Sequence, residues 1–193
     1  MAFSRGYRGV KGGAVQSAYT DQPGIAVAGQ LAFASDINNV DAMFVGETNG
    51  LAAGRGIKIA PVVDSFSFQA PNGAAFLPEA ADVKAAFAGI VVFDESMQSD
   101  ENGSAGWDKG RVARIVKPGR AGGRVFVKAV AAIDHTSDTV NWVTIAPADA
   151  SYALGEFAPA ALGGGAAGTS VALDNARWIS SAAAGEFAIL ELF

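Results

Sequence analysis

The chain has 193 residues, half of them hydrophobic and only 17% charged, with a net charge of −5, one histidine and no cysteine. That length supports one large domain whose core needs no disulfide or structural metal, and the missing cysteines exclude thiol catalysis, iron–sulfur clusters and the common zinc sites. The acidic balance argues against broad nucleic-acid binding, and the longest apolar stretch, Ala85–Phe93, is far short of the about 20 residues that cross a membrane.

Residues 1–24 form a distinct first block, a glycine-rich arm carrying Arg5, Arg8 and Lys11 against one acid, Asp21. Glycines rather than an apolar run follow the basic residues, so the block does not read as a secretory signal. It has too few large side chains to fold alone. It is either a disordered terminus or an arm that orders against a neighbouring subunit, with Phe3 and Tyr7 as anchors.

Strand patterns begin at Ile25 and continue through a β-rich domain over 25–193. The run IAVAGQLAF (25–33) predicts a strand with a bulge at Gly29. AMFV (42–45) predicts a second, closed by the turn pair Asn49-Gly50. GIKIAPVV (56–63) alternates too, and Pro61, lacking an amide proton, places that strand at a sheet edge. Residues 64–78 read as a loop around Phe66 and Phe68.

LPEAADVKAAFAG (77–89) carries helix signals, with Pro78 in the first turn, Glu79 and Asp82 near the positive end and Gly89 as a stop. FAGIVVF (87–93) reads as a buried strand, so any helix is short. An acidic loop follows at 94–106. RVARIVK (111–117) and RVFVKAVAAI (124–133) predict a β-hairpin, with Val125, Val127 and Ala129 on one face and Arg124, Phe126 and Lys128 on the other. TVNWVTI (139–145) is the next strand. After a Gly/Ala-rich stretch over 147–168, the chain closes with the short runs TSVAL, ARWIS and EFAILELF. Many short strands, frequent turns and little helix predict a mainly β fold, a sandwich or barrel.

Little in the chain is equipped for chemistry. His135 sits between Asp134 and Asp138 in AIDHTSD. A His–Asp pair can orient a base or ligate a metal, but with no second histidine and no serine elbow a polar turn is the better reading. Asp94, Glu95, Asp100, Glu101 and Asn102 offer oxygen ligands without EF-hand spacing, which favours a solvated loop over calcium. GRAGG (119–123) and GGGAAG (163–168) lack the Gly-Lys-Ser/Thr of a phosphate loop and read as turns. Trp107, Trp142 and Trp178 lie beside or within strands and read as core or interface anchors rather than a sugar platform.

WDKGRVARIVKPGRAGGRVFVKAVAAI (107–133) resembles the central hairpin of the structural cement proteins of tailed bacteriophages. FAGIVVFDE (87–95), PGIAVAGQLAF (23–33), ARWISSAAAGEFAILEL (176–192) and the opening Met-Ala-Phe are similar to the same family, while 94–106 and 147–168 do not align with it. The resemblance implies a β-sandwich or jelly-roll-like body and a protein that is not an enzyme and holds no cofactor. It implies a homo-oligomer, dimer or trimer, made in the bacterial host cytoplasm and seated on the outer surface of the virion. Its partner would be the major capsid protein at capsomer junctions, with no nucleic acid or membrane involved. The arm residues Phe3, Arg5, Tyr7, Arg8 and Lys11 would then be the subunit or capsid contacts, since an acidic rim attracts their charge. A tail- or fibre-associated β-protein that binds host glycans is the alternative, and a hydrolase centred on His135 the third reading.

Overall fold

The computed structural model describes residues 27–32, 40–62, 73–93, 98–99, 105–119 and 123–193. The arm, Phe33, Phe66, Phe68 and most of the acidic loop lie outside them. The strands are β1 (Val40–Phe44), β2 (Leu51–Ala52), β3 (Gly56–Ala60), β4 (Ala74–Phe76), β5 (Phe87–Val91), β6 (Gln98–Ser99), β7 (Ala105–Trp107), β8 (Val112–Val116), β9 (Gly123–Lys128), β10 (Asn141–Ile145), β11 (Phe157–Ala158), β12 (Thr169–Ala172), β13 (Ala176–Trp178) and β14 (Phe187–Leu192). The mainly β expectation holds. The helical segments among the described residues are short 3-10 turns at Lys84–Ala86 and Gly165–Ala167, and none is long and apolar enough to cross a membrane.

Five strands form one antiparallel sheet in the order β1-β8-β5-β3-β4. Its two ends meet: Val45, just after β1, bridges Ala75 of β4 in parallel, and the Gly46 N–H donates to the Ala75 carbonyl at 3.0 Å. The sheet thus closes on itself at this point. Val45, Leu51, Ile57, Val91 and Ile115 fill its interior.

The larger core lies outside that closed sheet. Phe87, Ile90, Val92 and Val116 turn outward from β5 and β8 to meet Val125, Trp142, Phe157, Trp178, Leu190 and Leu192. Phe87 and Ile90 are three residues apart yet share this cluster because a register shift breaks the alternation between them, as a bulge does. The core-facing partners come from two three-stranded antiparallel sheets, β11-β10-β12 and β13-β14-β9. At its centre the Phe87 ring meets Trp142 edge-on at 5.3 Å.

Four sequence expectations change. The 25–33 run is not a regular strand where it is described: residues 27–30 turn at Gly29, whose φ is +81°, and only Leu31 bridges β9. Even so, this turn ties the two halves together. Gly29 donates to the Phe126 carbonyl at 2.7 Å and accepts from the Phe93 N–H at 2.8 Å. A Cβ there would sit 2.7 Å from the Gly54 nitrogen and 2.8 Å from the Val91 carbonyl oxygen, so only glycine fits.

β3 is not an edge strand. It lies between β5 and β4, and Pro61 follows its last residue, so no ladder bond is lost. The 77–89 helix does not form. Asp82 accepts the Glu79 N–H at 2.6 Å in a tight turn, both acids grip Lys58, and β5 has begun by Phe87. Finally, β8 and β9 do not pair as a hairpin. β8 pairs with β1 and β5, whereas β9 pairs with β14, so the 118–123 connection crosses from the closed sheet to the next one. The facing within β9 is as the alternation predicts: Val125, Val127 and Ala129 are buried and Lys128 is exposed.

Candidate functional site

Phe3, Arg5, Tyr7, Arg8 and Lys11 lie outside the described residues. Val27, 40% exposed, stands on the rim of a cavity of about 250 Å³ whose lining includes Ala53, Arg55, Lys128, Phe157 and Phe187. The Arg55 guanidinium pairs with Glu156 at 3.1 Å and donates to the Leu154 carbonyl at 3.2 Å. Burial lowers the Arg55 pKa while the Glu156 charge opposes that change. A guanidinium keeps its proton in such a setting, so the cavity has an ionic wall and an otherwise largely apolar lining.

Lys128 and Phe187 also belong to the outer face of the β13-β14-β9 sheet, and the register builds that face row by row. Lys128 stands opposite Phe187, Phe126 opposite Ile189, and Glu191 lies between Arg124 and Arg177. Alternation sends Ala188, Leu190 and Leu192 of β14 into the core and leaves Phe187, Ile189 and Glu191 on the outside. Glu191 is nonetheless only 5% exposed, because two arginines close over it. Arg124 Nε donates to its Oε1 at 2.9 Å and Arg177 Nε to its Oε2 at 2.7 Å. Burial alone would push the Glu191 carboxyl up, yet the two guanidinium groups outweigh that and hold it below the ordinary carboxylate value. The Arg177 guanidinium also stands 5.7 Å over the Phe193 ring, which is 49% exposed.

Alternation puts Arg124, Phe126 and Lys128 on one face of β9, but Glu191, Arg177, Phe187 and Phe193 do not stand out in the sequence. The available signal was a lone carboxylate in EFAILEL, in phase with Phe187 and Ile189 on a half-apolar strand. Such a charge needs a cationic partner when buried.

The remaining candidates resolve into structural roles. His135 occupies an exposed turn in which Asp134 accepts from the Thr136 N–H and hydroxyl, and Asp138 accepts from the Asp134 N–H. The His135 ring Nδ1 lies 2.8 Å from the Ser181 hydroxyl, which also accepts the His135 N–H at 3.2 Å. That serine, 46 residues away, was not foreseen; with the Ile133–Ala182 bridge it fastens the turn to the segment before β14. Trp142 and Trp178 are core residues, and the Trp178 indole donates to the Thr139 carbonyl at 3.0 Å. Trp107 is half-buried against the interior of the closed sheet. The tryptophans therefore provide no exposed stacking platform for a sugar. Asp94, Glu95, Asp100, Glu101 and Asn102 lie outside the described residues, and among the described residues no group of three acids or histidines could hold a metal.

The family model described as "Structural cement protein (E217 gp24/Pam3 gp6)" matches residues 15–193. No curated protein matches the chain by sequence. Among solved structures, a chain in "The capsid of Myoviridae Phage XM1" superposes with a TM-score of 0.55 at 20% identity, covering 84% of this chain and 88% of that one. The likeness shows a shared fold.

Proposed function

The chain belongs to the structural cement protein family of bacteriophages, a capsid-associated structural role, and we propose that it decorates the outside of the head at capsomer junctions and stabilises the expanded shell. The observation that carries this reading is the family match across residues 15–193. The likeness in fold to a chain from a phage capsid supports it. In this reading the chain works as a non-enzymatic clamp and acts as a dimer or trimer.

The physics of such a clamp fits the fold. A ligand that binds the assembled shell but not dispersed subunits stabilises the shell by mass action. A sheet closed on itself, stapled to a second sheet at Gly29, supplies a rigid body. In this reading the 1–24 segment supplies reach. Linking several weak contacts raises avidity by about 10²–10⁴ when geometry lets them engage together. Phe3, Arg5, Tyr7, Arg8 and Lys11 are the proposed contacts of the arm, to the capsid or to a neighbouring copy.

Deleting residues 1–24 tests this. The shortened protein is expected to bind expanded heads at least about tenfold more weakly while melting within a degree or two of the full chain. Unchanged affinity would remove the arm from the clamp.

A further inference from the structure

The outer face of the β13-β14-β9 sheet combines cations with apolar side chains. The protein carries a net charge of −5, yet this face presents Arg124, Lys128 and Arg177 around the single carboxylate of Glu191. The cations frame apolar and aromatic rows made of Phe126, Ile189 and Phe187, with Phe193 exposed at one end. Glu191 is already saturated by two arginines, and its role is to hold their guanidinium planes against the sheet. Arg177, with its side chain 64% exposed, is thereby displayed in a fixed orientation over Phe193. A pre-oriented arginine over an aromatic ring, flanked by apolar side chains and a lysine, is the chemistry that receives a carboxylate-bearing protein surface.

We propose that this sheet face is the body's docking surface for an acidic patch of the capsid shell, with Arg177, Phe193 and Lys128 as its principal contacts. The inference rests on the capsid-decorating reading and names the side of the molecule that performs it. The cavity beside Val27 shares Lys128 and Phe187 with this face. The size of the face explains why a second contact, such as the proposed arm, is needed. β14 spans six residues, about 20 Å, and three strands span about 10 Å between outer axes. The flat patch is thus on the order of 200–300 Å², against about 800 Å² per partner in an ordinary stable interface.

The test uses expanded heads of the cognate phage that lack this chain, mixed with the full-length protein and with single variants. Lys128→Glu, Arg177→Gln and Phe193→Ala alter exposed groups; Val83→Glu and Val112→Glu are exposed controls outside this sheet. The proposal predicts that each face variant binds heads at least about tenfold more weakly, that the controls match the wild type, and that wild-type affinity falls as salt screens the contact. Retained melting temperature and oligomeric state would show that the face variants remain folded. If the wild type binds heads and the face variants bind equally well, the docking face is elsewhere and only this inference fails. If the face variants instead convert an oligomer to monomers, the face joins copies of this chain and the inference is overturned. If the wild type binds no heads, the capsid-decorating reading itself fails.

Discussion

At the scale of single residues, two positions show how tightly the described fold is specified. Glu191 is a buried carboxylate held by Arg124 and Arg177. Its folded pKa lies below the ordinary value of 4.5. Its contribution is therefore present above that pH and is lost as pH falls through the lowered folded value. Glu191→Gln is expected to destabilise the protein by about 1–3 kcal/mol at pH 7. The gap from wild type should then narrow in acid, read as melting temperature between pH 7 and 3. A gap that stays constant down to pH 3 would show that the charge contributes nothing. Gly46 is fixed by contact rather than charge: a Cβ there would lie 2.2 Å from the Phe76 ring. Gly46→Ala should therefore lose about 1–3 kcal/mol through overpacking, and adding Phe76→Leu should recover most of it. Failure of that rescue would mean that the backbone, not the ring, sets the limit at Gly46.

At the scale of elements, Lys58 holds the 79–82 turn to the closed sheet. Its Nζ lies 3.1 Å from both Glu79 and Asp82. Burial opposes the Lys58 charge, but the hydrogen bonds and charges of those acids outweigh it and raise the pKa above 10.5. This contribution is complete below the ordinary lysine value and is lost as pH rises through the raised one. Lys58→Met should lower stability by about 1–2 kcal/mol at pH 7, and the difference should shrink above about pH 10.5, measured by urea unfolding. The same turn explains why part of the sequence misled. Pro78, Glu79 and Asp82 are good helix-start residues, but their acids answer a buried lysine more than twenty residues earlier, which no local pattern reveals. β1, β5, β9, β10 and β14 were legible because alternation or an unbroken apolar run marks them. Which strands pair was not legible: β8 and β9 look like a hairpin locally, and only the distant strands β1, β5 and β14 decide otherwise. The proposed docking face was legible only in part: alternation groups Arg124, Phe126 and Lys128, but Arg124, Glu191 and Arg177 meet only through the register of three separated strands.

At the scale of the whole molecule, the fold joins a closed five-stranded sheet to two of its three smaller sheets, β11-β10-β12 and β13-β14-β9, through one shared core. Gly29 staples the closed sheet to β9 by way of Phe93 and Phe126. Rigidity of this kind suits a part that must hold neighbours in register, and family membership supplies the context of a phage capsid. The central claim is that the protein coats the shell. The most direct measurement is its copy number in purified virions relative to the major capsid protein. The account predicts a stoichiometry equal to the capsid subunit or a simple fraction of it. A few copies per particle, as at a tail or portal, or none at all, would contradict it.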